Sequence, residues 1–479
     1  MSTVKDEANG FFKLSWLTRI GYGAGDMAQN FIYQNVSGFI AFYYTNVYII
    51  GNDSKKATAV SGALMLIVRL LDVIWDPFVG AFVDKHNPRW GKYRSYLVTA
   101  GFPLCVLAIL CYWDIFKGSI TYAAITYTLL QMCYTLTNVP YGALNASMTR
   151  DTQEITVLTS IRMTMANIGG LFVWTGFPIV AGLFSKQAID WNVVLFNFIG
   201  ALPGFVIMPF VPYIKKFTGK KGLFYSFGVI GIIGYALLYI FSRMGLADSD
   251  KSVWMLVANF IKSTGLTTVT GYMWAIVPEV ISYAEYTTGR RIAGIINALT
   301  GIFFKAGFAL GGAIPGWLLY FFHYDADLEA KDGGSGYTTD SKAWFSAMIL
   351  YAVVGFLLLV FCFVKSKERV VMEDKETENV KVSDLWIEFI RNGPLRVIAF
   401  YFVTAFCCMN IHNTSVGWFY KMKHQADSTK ECIRWNVAII PAILMIVMMI
   451  IISFYSLTDE KIDEINKEIE KRNHKADDA

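Results

Sequence analysis

Arg69, Asp72 and Asp76 stand three and four residues apart inside an apolar run, Leu66 to Arg94, that reads LIVRLLDVIWDPFVGAFVDKHNPRWGKYR. That spacing places all three charges on one helical face. In hydrocarbon each would cost roughly 2.5–3.5 kcal/mol on insertion scales, so the face must look into a protein interior or a wet cavity. A carboxylate pair at i,i+4 can bind a cation or share a proton, because two bare carboxylates side by side repel. Other apolar runs carry polar groups as well. Asp26, Asn30, Tyr33 and Gln34 share a face, with Gln29 nearby; so do Tyr134, Asn138, Tyr141 and Asn145, with Thr135 beside them. Further on come Arg162, Trp274, Glu279, Tyr283, Glu285, Lys305, His412 and Asn413.

Each of these groups has a plain structural reading beside a functional one. Arg162 either snorkels to an interface or faces the cavity. Glu279 and Glu285 sit near a loop and read as gate or cap groups ahead of ligand groups. Trp274 fits an interfacial or core position as well as a sugar platform. His412 reads as an interhelical hydrogen bonder. Asp72, Asp76 and Lys305 lie well inside apolar runs, where a purely structural charge is costly, and read as functional. Amides and carboxylates can bond hydroxyls in pairs, and aromatic faces can stack on a pyranose. The chemistry is therefore binding coupled to a cation, with no bond broken. No nucleophile triad, phosphate-binding glycine loop or metal-spaced His/Cys cluster is present.

The elements that position these groups follow from composition. The 479 residues are 55% hydrophobic, 16% aromatic and 16% charged, against about 25% charged for a soluble protein. About twelve apolar segments approach the roughly 20 residues needed to span a bilayer: 20–49, 57–83, 95–113, 119–147, 156–184, 190–213, 222–243, 252–284, 292–322, 342–364, 397–420 and 434–456. The expected class is an all-α membrane protein. The net charge of +5 comes from basic residues in short loops, including Lys85, Arg89, Lys92 and Arg94 after the second segment and Lys215, Lys216, Lys220 and Lys221 after the sixth. Arg290 and Arg291 follow the eighth, and all these loops fall on one side, with both termini, which should be cytoplasmic. No removable signal peptide is read in the N-terminal sixteen residues. Seven cysteines without a CxxC pair read as small core residues. The tail TDEKIDEINKEIEKR aligns Ile462, Ile465 and Ile469 as one stripe for packing on the cytoplasmic side.

YGAGDMAQN, LLDVIWDPFVGAFVDKHNPRWGKYR, YTLTNVPYGAL and PEVISYAEYTTGRR resemble the glycoside–pentoside–hexuronide:cation symporters, the melibiose-permease-like branch of the major facilitator superfamily. The resemblance implies twelve helices in two pseudo-symmetric bundles, alternating access, and a site between bundles near the midplane. It makes Asp72 and Asp76 cation carboxylates and Thr135 a cation-site hydroxyl, with Asn138 joining them. It makes Arg162 and Lys305 sugar-site and interhelical charges and Tyr134 a sugar-site aromatic, so that Asp26, Asn30, Tyr134, Arg162, Trp274 and Lys305 form the expected substrate set. Arg94, Glu279 and Arg290 are expected gate residues. Gln29 and Asn30 replace a Lys-Asp pair of the melibiose-type members, Asn138 replaces an acid, and Gly142 a platform tryptophan, which favours protons over sodium as the coupling ion.

The order of segments departs from the family. Residues 188–332 resemble its eighth to eleventh spans, and 334–425 its sixth and seventh, as if two blocks were exchanged. The expected parts are an N-terminal bundle (1–187), most of a C-terminal bundle (188–332), a span completing the N-terminal bundle (333–364), a cytoplasmic loop (365–396), spans completing the C-terminal bundle (397–456) and a tail helix (457–479). Each block holds an even number of spans, so helix directions survive. The expected activity is secondary active symport of a sugar or glycoside with H⁺ or Na⁺ at the cell's inner membrane. The alternative is a non-transporting sensor or scaffold on the same bundle; an enzyme is not expected. Expected partners are a small-molecule sugar or glycoside and membrane lipid, without nucleic acid and as a monomer; no cofactor is expected beyond the coupling ion.

Overall fold

A computed structural model of the chain describes residues 13–86, 88–149, 152–186, 189–207, 210–246, 252–288, 293–329, 337–368, 387, 389–458, 460–465 and 467–468. In chain order the helices are α1 (Trp16–Phe42), α2 (Ala57–Lys85), α3 (Ser95–Thr99), α4 (Gly101–Cys111), α5 (Ile120–Met148), α6 (Thr152–Leu171), α7 (Phe177–Ser185) and α8 (Trp191–Val206). They continue as α9 (Val211–Arg243), α10 (Val253–Thr288), α11 (Ala293–Phe321), α12 (Ala326–Glu329), α13 (Ser341–Lys365), α14 (Gly393–Phe419), α15 (Asp427–Arg434) and α16 (Ile440–Ser453). Among the described residues there is no strand. Side chains cap several starts: Ser15 accepts from Thr18 N, Ser119 from Tyr122 N and Asp340 from Lys342 N.

Among the described residues, seven helical stretches are long and apolar enough to cross a membrane: Ala57–Gly80, Val157–Ser185, Tyr213–Arg243, Leu299–Phe321, Ser341–Lys365, Gly393–Phe419 and Asp427–Ser453. Ser95–Cys111 and Trp191–Val206 are shorter apolar helices. The long helices α1, α5 and α10 are missing from that set for a physical reason. They carry the asparagines, glutamines, threonines and charges that a lining face needs, and these lower the apolar content of any window. One expectation is corrected. The break expected between the sixth and seventh segments is the single residue Gly219 (φ +68°), and the lysines are helical to either side of it, Lys215 and Lys216 before and Lys220 and Lys221 after, within the range of α9. Lys220 is buried there, and Lys221 Nζ donates to the Ser453 carbonyl at 2.8 Å.

The described residues fall into two compact units. The first draws on Met1–Phe198, Pro315–Lys375 and Gly417–Cys432. Here α13 packs along α1, α4 and α7. Its Trp344 is buried against Phe39, Phe42, Tyr43, Tyr112 and Phe177, and its Tyr351 meets Phe31. The approach needs glycine: a Cβ on Gly21 would lie 2.4 Å from Lys365 Cβ. Helix α6 packs on α1, and α5 on both α2 and α4.

The second unit draws on Ile199–Ile314, Glu376–Val416 and Ile433–Ala479. Its tightest crossing joins α9 to α10, where a Cβ on Gly265 would meet Gly231 N at 2.3 Å. Small residues of this kind let membrane helices touch backbone to backbone. Helix α16 packs on α9. Ile462 and Ile465 of the tail are buried, in keeping with the stripe read from sequence, while Ile469 lies outside the described residues.

Candidate functional site

Three helices of the first unit bring the α2 charges together with the polar faces of α1 and α5. Arg69 and Asp72 are each only 2% exposed. Thr135 donates from Oγ1 to Asp72 Oδ1 at 2.7 Å, and Thr135 is itself buried. Arg69 donates to the Tyr33 hydroxyl, to Ser37 Oγ at 2.9 Å and to Gln131 Oε1 at 3.4 Å, with its guanidinium 5.1 Å from the Tyr33 ring centre. Tyr33 stacks on Tyr134, ring centres 3.8 Å apart and 14° from parallel. Both Asp72 and Asp76 lie near enough to the Tyr33 hydroxyl to act on it electrostatically. Asp76 is half-buried one turn beyond Asp72, and Asn138 is half-buried one turn beyond Thr135. Carboxylate and hydroxyl oxygens of this kind suit a hard cation or a proton.

The seam continues along α1. Arg162 Nε donates to Asp26 Oδ2 at 2.8 Å, and the guanidinium lies 4.9 Å from the Tyr141 ring centre. Asn30 Nδ2 donates to the Asp26 carbonyl at 2.8 Å, Gln34 donates to Asn30 Oδ1, and Trp174 Nε1 donates to Gln34 Oε1 at 3.2 Å. Gln29 is buried, and neither of its amide atoms finds a hydrogen-bond partner among the described residues. Asp26, Asn30, Tyr134, Thr135, Arg162, Asp72 and Asp76 thus all lie on helices of the first unit, with Thr135 meeting Asp72 and Arg162 meeting Asp26. A donor-rich ion pair beside an acceptor amide and a stacked tyrosine can meet adjacent hydroxyls.

The remaining expected residues belong elsewhere. Trp274, on α10 of the second unit, is 45% exposed and meets Phe402 edge-on at 4.8 Å and Phe304 at 5.9 Å. Lys305 follows Phe304 on α11 and is half-buried. Glu279 is tied within the same unit: Lys220 Nζ lies 2.8 Å from its Oε1, and the Tyr455 hydroxyl donates to its Oε2 at 3.1 Å. Arg94, in the first unit, lies over the Phe363 ring at 5.1 Å. Its loop is clasped by Glu368, whose carboxylate accepts from the backbone N–H groups of Lys92, Tyr93 and Arg94 at 2.8–2.9 Å. Arg290 lies outside the described residues.

Sequence reasoning missed several partners. Gln131 sits four residues before Thr135 and so on the same face, a signal that was available. Trp174 and Glu368 offered none, since their partners are distant in the chain. Arg19, which pairs with Glu154 at 2.7 Å, lies outside the apolar core of its helix. Lys262, deep in the eighth segment, was overlooked although an intramembrane lysine is a functional signal by itself.

Comparison with known proteins places this arrangement in context. The chain matches the family described as MFS/sugar transport protein over residues 21–196 and 186–335. Residues 283–463 match the Major Facilitator Superfamily. An uncharacterized symporter of Bacillus subtilis (strain 168), YnaJ, is 33% identical over 406 residues, covering 66% of this chain and 85% of the relative. A glucuronide carrier protein homolog of Escherichia coli (strain K12) is 28% identical over 472 residues, covering 78% of this chain and 99% of the relative. The isoprimeverose transporter of Lactiplantibacillus pentosus is 23% identical over 393 residues, covering 64% and 80%.

Proposed function

The chain belongs to the MFS/sugar transport protein family, and from that membership we propose that it is a secondary active transporter that moves a sugar or glycoside together with H⁺ or Na⁺. It is a multi-pass membrane protein of a transporter family, not an enzyme. The observation that carries the reading is the buried Thr135–Asp72 bond, set on one seam with the Asp26–Arg162 pair. Relatives that are named for carrying a glucuronide and isoprimeverose support a sugar-like substrate.

In this reading Asp72, Asp76, Thr135 and Asn138 hold the cation, and protons are the first choice. Asp26, Asn30, Tyr134 and Arg162 bind substrate, together with Trp274 and Lys305. Arg94, Glu279 and Arg290 act as gates. The protein works as a monomer in the cell's inner membrane with both termini cytoplasmic, exposing its site to each side in turn. We also infer that two blocks of spans are exchanged relative to the family. Two observations support this: α13 packs on α1, α4 and α7, and the family match breaks into two pieces that meet at residues 186–196.

Uptake of a labelled glycoside panel into proteoliposomes, with and without Na⁺ and at several pH values, tests the reading. Gradient-driven accumulation of at least one glycoside is expected. Binding without accumulation under every ion condition would leave a sensor or scaffold instead.

A further inference from the structure

The second unit holds a buried pair of basic side chains that the seam around Asp72 does not use. Lys262 on α10 is 5% exposed and His412 on α14 is 2% exposed. Lys262 Nζ lies 2.9 Å from His412 Nε2, and His412 Nδ1 lies 2.7 Å from the Val437 carbonyl oxygen. Val437 belongs to the π-helical turn Trp435–Ile439, an irregularity that recurs at functional sites.

The carbonyl settles the tautomer. It can only accept, so Nδ1 carries the imidazole proton and Nε2 offers a lone pair. Lys262 is therefore the donor to Nε2. An ammonium and a neutral amine can both donate there, so Lys262 can gain or lose a proton with neither hydrogen bond broken. A second proton on Nε2 would set two cations 2.9 Å apart and remove the acceptor. The pair holds one exchangeable proton or none.

Its position is built into the backbone. A Cβ on Gly234 would lie 2.1 Å from Lys262 N, so α9 and α10 cross in contact at this residue, and the Lys262 side chain stays buried beside the crossing. Among the described residues no carboxylate stands within ion-pair distance of Lys262, in contrast to Arg162 with Asp26 and Lys220 with Glu279. Titratable neighbours among the described residues include Tyr235 from α9, its ring centre 6.0 Å from Lys262 Nζ, and Cys408 from α14. These two engage each other: the Tyr235 hydroxyl lies 3.9 Å from Cys408 Sγ, which donates to the Pro441 carbonyl at 3.4 Å. The turn at 435–439 contributes the Val437 carbonyl.

We propose that Lys262 and His412 form a one-proton site in the second unit, separate from the α2 carboxylates. Loading it changes the charge between α10 and α14 by one. The assignment does not rest on the transport reading, and its test needs no substrate.

Purified full-length protein labelled with ¹⁵N-histidine, titrated from about pH 5 to pH 10, reads the site directly by NMR. The chain has five histidines, and His412→Gln identifies the signal. The expected result is an Nδ1 that stays protonated and an Nε2 that stays an acceptor, whose resonance shifts through a single one-proton step. Lys262→Met should abolish the step. Should that variant not fold, Lys262→Arg keeps a donor that is always charged and should abolish it equally. No step in the wild type, a step that produces doubly protonated imidazole, or a step that survives the Lys262 substitution overturns the proposal.

Discussion

Thr135→Val keeps a β-branched side chain and removes one donor. The lost bond joins Thr135 Oγ1 to Asp72 Oδ1 at 2.7 Å, and both residues are 2% exposed, so water has no ready access to replace it. A hydrogen bond to a charged group contributes about 1.5–3 kcal/mol. If that energy tunes the carboxylate for the cation, its loss shifts the half-saturating cation concentration by roughly 10- to 150-fold, at about 1.4 kcal/mol per decade. The shift is upward for Na⁺, which loses an ordered ligand, and downward for H⁺, because the bond favours the bare carboxylate. Proteoliposome uptake at fixed glycoside, with the cation titrated, measures this value. Thr135→Ser retains the hydroxyl and should stay near wild type. An unchanged cation dependence in Thr135→Val, or an equal shift in Thr135→Ser, would refute the reasoning.

Three other outcomes follow from the geometry. Asp26 and Arg162 are expected to act as a unit, with a double-mutant cycle of their alanine variants in glycoside binding giving a coupling of about 0.5–3 kcal/mol; strictly additive losses would separate them. Gly265→Ala forces a Cβ to within 2.3 Å of Gly231 N, and thermal unfolding in detergent should show a loss of about 1–3 kcal/mol from overpacking, whereas an unchanged midpoint contradicts the close crossing. Glu368→Ala removes the acceptor shared by three backbone amides. Hydrogen exchange at residues 92–94 should then accelerate roughly tenfold or more, as a charge-assisted bond of above about 1.4 kcal/mol implies, and unchanged protection would count against the clasp.

The membrane bundle was legible because apolar runs near span length announce helices whatever they pack against. The polar seam was legible in part. Helical spacing placed Asp26, Asn30 and Tyr33 on one face, and Tyr134 and Asn138 on another, but spacing works within a helix and is silent across helices. Thr135 and Asp72 are 63 residues apart, and Asp26 and Arg162 are 136 apart. Only the fold joins them. The stacking of Tyr33 on Tyr134, and the sharing of Arg69 among Tyr33, Ser37 and Gln131, were invisible for the same reason. The lysines at the start of α9 show a different limit. A basic cluster after an apolar segment reads as loop, yet the same residues lie on helical turns to either side of a break at Gly219, with Lys220 buried against Glu279.

The central claim is that the α2 carboxylates couple glycoside movement to a cation. Asp76→Asn in proteoliposomes, compared with wild type in both cation-driven accumulation and gradient-free glycoside exchange, tests it most directly. The account predicts that accumulation is lost while exchange or binding is retained in part. Accumulation at the wild-type level in Asp76→Asn would contradict it.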